Sequence, residues 1–460
     1  MNKNLGLVSI INMEKNKFKL PSLKTFYSYD FNHIFPASVY QFGAFAGTIT
    51  SGILSEYLGR KKTMILANIL SLAGFLFLRF ANIVALLYTS RIVGGISFGL
   101  CFAIISPYIA EISQPKIRKF TVPLMPCFYN TGFIITFLLS TFLDWKTIVS
   151  IIIFSPCINI ICLFFCPESP TWLMLKGNKE MAVSCMLSMR GDANVANKEL
   201  GRIQNNLEKQ KEAIGTQDGS SAMKRKWDIM SKGTFIRPFL TVVMLLGICW
   251  HWTGGPFIGF YVIDMIEKLK VPMNPYWCAV LIACFQLVFG LLGTFTSSIL
   301  TRRKMFVGGG ILEATGTFVC GLTVYLNREV YSAELLDKYP VLTWIPLVGL
   351  LIFYAGYFGG YVPVCFMALA ELLPSNARSV GSSMATSMSI LSLFILIKFA
   401  LSIEDAIGLD GTFWMFSIVG WLSILFYCCF VPETFGKTLE SIEDYYRKLC
   451  NKNKVSPMEN

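Results

Sequence analysis

The stretch Glu56-Tyr57-Leu58-Gly59-Arg60-Lys61-Lys62 closes one apolar run and opens another. Half a chain later Ser298-Ile299-Leu300-Thr301-Arg302-Arg303-Lys304 does the same. A basic cluster between apolar helices that recurs after half a chain is what internal duplication of a membrane protein produces. Two further pairs keep the same order. Pro167-Glu168-Ser169-Pro170-Thr171-Trp172-Leu173 matches Pro432-Glu433-Thr434-Phe435-Gly436-Lys437-Thr438-Leu439. Glu111 with Arg118 matches Glu371 with Arg378, each acid standing seven residues before its base. A single cluster would be topogenic charge at an ordinary helix stop. Three pairs in register are a repeat.

Composition agrees. Of 460 residues, 54% are hydrophobic and 15% charged, with a mean hydropathy of +0.56, whereas a soluble domain carries about 25% charged residues. A helix needs about 20 apolar residues to cross a hydrocarbon core about 30 Å thick. Runs of that length are read at 36–55, 63–81, 84–110, 120–143, 147–166, 238–263, 277–300, 305–326, 343–370, 380–402 and 411–431. The fold class expected is therefore all-α, a polytopic membrane protein with eleven recognisable spans, five before and six after the polar stretch Leu173 to Arg237.

Basic residues sort by loop. Arg60 to Lys62, the many of 174–237, Arg302 to Lys304 and those of the C-terminal tail fall on one side; Lys146, Lys268, Lys270, Arg328 and Lys338 fall on the other. Positive loops stay cytoplasmic, so the central loop and C-terminus are expected there. Eleven spans would then leave the N-terminus, with five lysines, outside. The segment 1–35 is accordingly expected to hold a lost or degenerate first helix. The net charge of +12 sits in these loops, so nucleic acid is not an expected partner. The lipid bilayer and a small-molecule solute are, with no obligate protein partner. Only His33 and His251 exist, which leaves no material for a His-based metal centre or triad. No cofactor and no enzymatic activity are expected. Gly308-Gly309-Gly310 lacks the flanking strand and Lys of a phosphate loop, and no ring of charges suggests a channel.

Gly59-Arg60-Lys61-Lys62, Arg91-Ile92-Val93-Gly94-Gly95, Tyr108-Ile109-Ala110-Glu111, the two Pro-Glu motifs and Glu371-Leu372-Leu373-Pro374…Arg378 together resemble the sugar porter family of the major facilitator superfamily. The resemblance covers about 36–445. The tail from Gly411-Thr412-Phe413-Trp414 to Gly436-Lys437-Thr438-Leu439, with Lys398 upstream, looks most like insect facilitated trehalose and glucose transporters. It implies two six-helix bundles, here 36–172 and 238–431, joined by a cytoplasmic helical linker, 173–237, and followed by a tail, 432–460. It also implies a plasma-membrane location and facilitative, uniport-type movement of trehalose or a hexose through one central site.

Two sets of residues follow. Glu56, Glu111, Glu168, Glu371 and Glu433 are expected to face Arg60, Arg118, Arg302, Arg303 and Arg378 where the bundles meet the cytoplasm, as a gate network that forms in one state and separates in the other. The family pattern wants an acid at Ser298, a Gly at Thr301 and an Arg at Thr171, so the second-half network is expected to be weaker. The solute site is expected from Asn130, Trp250, His251, Trp252, Tyr261, Gln286, Phe366 and Ser389. Here the resemblance implies amides that this chain lacks. Pro126 stands for a Gln, Trp250 and His251 for two more, Pro256 for an Asn, Cys365-Phe366 for Pro-Trp and Ser389-Ile390 for Asn-Trp. Three readings stay open: a sugar facilitator using unusual contacts, a carrier of a less polar solute, or a membrane protein that senses without transporting. No Asp or Glu is read as lying mid-span, which favours passive movement over proton coupling.

Overall fold

The computed structural model describes residues 31–114, 117, 121, 124–214, 233–329, 339–373, 378–437 and 439–455. Among the described residues there is no strand. In the first half, α1 (Phe31–Leu58), α2 (Arg60–Arg79), α3 (Val84–Ile112), α4 (Met125–Phe142), α5 (Trp145–Ile152) and α6 (Phe154–Phe165) run back and forth. Three polar helices follow: α7 (Pro170–Leu175), α8 (Lys179–Arg190) and α9 (Ala193–Ile214). The second half begins with α10 (Gly233–Val243), a π turn (Met244–Cys249), α11 (Gly255–Phe260) and α12 (Val262–Lys268). It continues with α13 (Pro275–Thr296), α14 (Arg302–Glu329), α15 (Ile345–Gly356), a second π turn (Tyr357–Tyr361), α16 (Val362–Glu371), α17 (Arg378–Phe430) and α18 (Leu439–Val455).

Local chemistry sets several ends. Ser169 accepts a bond from Trp172 N (3.2 Å) just before Pro170, and Asn274 accepts from Tyr276 N (2.9 Å) before Pro275. Both are side-chain caps followed by a proline that has no N–H to lose at a first helical turn. Asn178 caps α8 through Met181 N at 3.3 Å, and Gly191 ends that helix at φ 70°.

The count of eleven spans is not confirmed. Among the described residues, eight helices are long and apolar enough to cross a membrane. The expected spans 380–402 and 411–431 lie in one helical stretch, Val380–Phe430, whose single non-helical residue is Gly408. The expected span 238–263 is broken into short pieces around the first π turn. The expected span 36–55 lies inside α1, a less apolar helix that buries Ser38, Gln41, Thr48, Ser51 and Ser55. Its hydroxyls hide by bonding back along the helix, Thr48 Oγ1 to Phe45 O (2.8 Å) and Ser51 Oγ to Thr48 O (2.6 Å). A polar helix can thus be buried against neighbours at little penalty, and a hydropathy reading undercounts it. Of the segment expected to hold a degenerate first helix, 31–35 form the start of α1; the remainder lies outside the described residues.

The halves meet along two seams. α1 lies along α17, with Phe42 6.0 Å from Phe394, and α4 lies against α13, with Phe142 edge-on to Trp277 at 6.1 Å.

Candidate functional site

The site forms where a helix fails. Gly254 takes φ 101° and Pro256 brings no N–H, so the run from α10 cannot continue into α11. The π turn and the break leave carbonyls without helical partners, and a span must satisfy them from its neighbours. Four side chains do so. Ser389 Oγ donates to Leu246 O (3.0 Å) and Ser392 Oγ to Gly247 O (2.7 Å). Tyr361 and Tyr357, from the second π turn, donate to Cys249 O (3.0 Å) and Trp250 O (3.3 Å). Two distorted segments therefore hold each other open.

Trp250, His251, Phe366 and Ser389 come together there. The Trp250 ring stacks on His251 at 4.5 Å and meets Phe366 edge-on at 5.0 Å. His251 Nε2 lies 2.9 Å from Ser389 Oγ. That hydroxyl already gives its proton to Leu246 O, so His251 donates from Nε2 and keeps Nδ1 as an acceptor. Phe102 of α3 closes the junction from the first half, 6.4 Å from Trp250 and 6.1 Å from Phe366. Sequence reasoning missed it; its i, i+4 pairing with Phe98 was the available signal, and the two rings stack at 5.3 Å.

The other expected site residues sit around this junction. Trp252 turns aside to donate to Ser392 Oγ at 2.9 Å. Tyr261 packs on Phe257 at 5.4 Å. Asn130 is fully buried on α4 beside Gly290, one turn from the buried Gln286 on the same face of α13. Several polar atoms here are buried with no hydrogen-bond partner: both amide atoms of Asn130, Trp250 Nε1, His251 Nδ1 and the Tyr261 hydroxyl. Buried polar groups are nearly always paired, so these atoms stand out.

The charged motifs form two locks of one design. Arg60 grips Glu111 through Nε (3.1 Å) and Nη2 (3.0 Å) and reaches Ser55 O with Nη1 (3.2 Å). Ser169 Oγ donates to Glu111, and Glu168 Oε1 accepts from the amides of Arg60 (3.0 Å) and Lys61 (3.2 Å). In the second half Arg302 Nη2 meets Glu371 at 3.2 Å and Nη1 reaches Ser297 O. Thr434 Oγ1 donates to Glu371 (2.6 Å), and Glu433 accepts from the amides of Arg302 (3.1 Å) and Arg303 (3.0 Å). A carboxylate at a helix N-terminus suits both orphan N–H groups and the dipole. Burial raises the Glu433 carboxyl, but the amides of Phe435, Arg303, Arg302 and Thr434 outweigh it and hold the group below its ordinary value. Arg303 also donates to Cys428 O. Glu56 contributes its carbonyl, which accepts from Trp172 Nε1 at 3.0 Å. Both ion pairs close within their own half. Arg118 and the Arg378 side chain lie outside the described residues.

One expectation is overturned. Glu313 stands in the middle of α14 and is 1% exposed, so an acid does lie mid-span. A single carboxyl among Gly308-Gly309-Gly310-Ile311-Leu312 and Ala314 leaves the run apolar on average, which is why it escaped notice.

Comparison with known proteins bears on this arrangement. A family model described as sugar (and other) transporter matches residues 4–446. The facilitated trehalose transporter Tret1 of Bombyx mori is 27% identical over 403 residues, 87% of this chain and 76% of that protein. The human solute carrier family 2, facilitated glucose transporter member 6, is 27% identical over 430 residues, 89% of this chain and 82% of that one. In fold, the chain is similar to the major facilitator proton:xylose symporter XylE, solved with bound 6-bromo-6-deoxy-D-glucose. The TM-score is 0.74 at 20% identity, covering 90% of this chain and 89% of that one. An inward-open structure of XylE from E. coli gives 0.69.

Proposed function

The chain belongs to the sugar (and other) transporter family, whose members transport rather than catalyse, and from that premise we propose that it moves trehalose or a hexose across the plasma membrane by alternating access, as a facilitator. The observation that carries this reading is the set of partnerless polar atoms around the aromatic junction of Phe102, Trp250 and Phe366. A sugar offers hydroxyls to Asn130, Trp250 Nε1, His251 Nδ1 and Tyr261, and apolar ring faces to the aromatic side chains. The junction is made by both halves, so rocking one against the other opens and closes it. The bundles are 36–172 and 238–431, and the locked ends carrying the basic loops face the cytoplasm. Each lock keeps its own half rigid while the seams between α1 and α17 and between α4 and α13 change.

A second reading rests on the lost amides. With Pro126, Trp250, Pro256 and Phe366 where polar or differently shaped groups are expected, the site also suits a less polar solute. Uptake of labelled trehalose and glucose into oocytes at equal surface expression, beside the variant His251→Gln/Pro256→Asn, separates the readings. Saturable uptake by the wild type supports the sugar facilitator. Uptake by the variant alone favours a changed solute. Uptake by neither sinks transport of these sugars.

A further inference from the structure

Glu313 carries one more inference. The acids at the helix ends have partners: Glu111 and Glu371 their arginines, Glu168 and Glu433 helix amides, Asp410 the Arg328 guanidinium at 3.1 Å. Both oxygens of Glu313 have none. The Thr253 hydroxyl of the broken segment is close enough to interact with it, yet its described bond goes to Trp250 O at 3.5 Å. The titratable groups facing Glu313 are Cys249 from the π turn and Tyr357, Tyr361 and Cys365 from the opposite helix. From α17 comes Ser417, bonded to Ala314 O at 2.7 Å. None of these is a cation. A bare carboxylate sealed among them is far costlier than a neutral carboxylic acid. A metal ion is poorly served: among the described residues no group of three metal-binding side chains exists, and hard cations want six or more oxygens.

We propose that Glu313 is a proton-binding site that stays loaded while the broken segment is packed and empties to water when that segment opens. Geometry ties it to the break. A Cβ on Gly356, the last residue of α15, would lie 2.7 Å from Glu313 N, and one on Gly360 of the second π turn 2.4 Å from Met305 O, so the backbones of α15 and the π turn are in direct contact with α14. The same π turn supplies Tyr357 and Tyr361, which hold the carbonyls of Trp250 and Cys249. Displacing one displaces all three.

The sign follows from linkage. Opening wets the carboxyl, and a wetted Glu titrates at about 4.3. Raising the pH above that value favours opening, by up to about tenfold per pH unit, until the packed form also ionises. The site stands apart from the transport reading; only its effect on the transport cycle rests on alternating access.

Backbone hydrogen exchange of 250–255 in the purified full chain tests it, wild type against Glu313→Gln at each pH, a ratio that cancels the chemistry of exchange itself. The ratio of wild-type to variant exchange is expected to be near one at pH 4 and at least tenfold higher at pH 8. Glu313→Met, of similar volume and also uncharged, replaces the Gln variant if that one does not fold. A ratio independent of pH, or one that falls as pH rises, overturns the proposal. Uptake of labelled trehalose and glucose into vesicles at the same two pH values keeps the two ideas separate. Loss of pH dependence in Glu313→Gln supports both, whereas absent wild-type uptake counts against sugar transport and leaves the exchange ratio to decide Glu313.

Discussion

The two locks share a plan and differ in how firmly they are built. Arg60 uses Nε and Nη2 together on Glu111, while Arg302 reaches Glu371 with Nη2 alone and leaves Nε buried without a partner. Arg302 stacks instead over Phe435, 5.5 Å from the ring centre. Before α2 stands Gly59 at φ 94°, where a Cβ would come within 2.5 Å of Glu168 Oε2. Before α14 stands Thr301, whose Oγ1 accepts a long bond from Lys304 N at 3.4 Å. A repeated motif thus preserves its anions and cations but not its fit. A two-pronged guanidinium–carboxylate contact is stronger and more specific than a single bond.

The largest expected effect breaks that comparison most directly. Arg60→Ala should destabilise by about 3 kcal/mol, because it leaves the half-buried Glu111 without its cation. Arg302→Ala, losing one charged bond, should cost about 1.5–3 kcal/mol. Denaturant unfolding in detergent checks the order, and equal losses would show that the two locks are equivalent after all. Next comes the cap. Gly59→Ala should cost about 1–3 kcal/mol through its left-handed backbone, and Thr301→Gly only a few tenths, about 0.3 kcal/mol; thermal melts of both variants sharpen the contrast. The smallest effect is acid-sensitive. Since the Glu433 carboxyl is held below its ordinary value in the folded chain, its contribution is full above the unfolded value of about 4.3 and is lost as pH falls through the folded one. The stability gap between wild type and Glu433→Gln should therefore shrink on acidification below that pH. A gap that widens would reverse the sign.

Much of this was legible in the sequence, and the gaps have physical causes. Duplicated charge at helix ends is a local pattern, so Arg60, Glu111, Glu168 and their second-half counterparts could be read without a structure. Which acid each base would grip could not. The residues are distant in sequence, and pairing inside a half is a fact of packing. The break at Trp250 to Gly254 was half visible in Gly254-Gly255-Pro256, but the π turns at 244–249 and 357–361 depend on hydroxyls arriving from other helices. Hydropathy averages over a window, so it does not show the break inside 238–263 or the kink at Gly408. The same averaging hid Glu313 within an apolar run and the self-bonded hydroxyls of α1. His251 and Ser389 were both singled out, yet their bond, and the nitrogen it leaves bare, needed the fold.

The carboxylates that cap α2 and α14 have a consequence for how the chain holds together. Glu168 sits 108 positions beyond the amide it binds, and Glu433 131 beyond its own. Each therefore ties the far end of a half back to its start, closing a non-covalent loop around the intervening helices. A backbone cut between Ile214 and Gly233 would leave both loops whole. Two fragments made separately would each arrive already fastened, with the seams of α1 on α17 and α4 on α13 and the junction of Phe102 with Trp250 and Phe366 left to find each other.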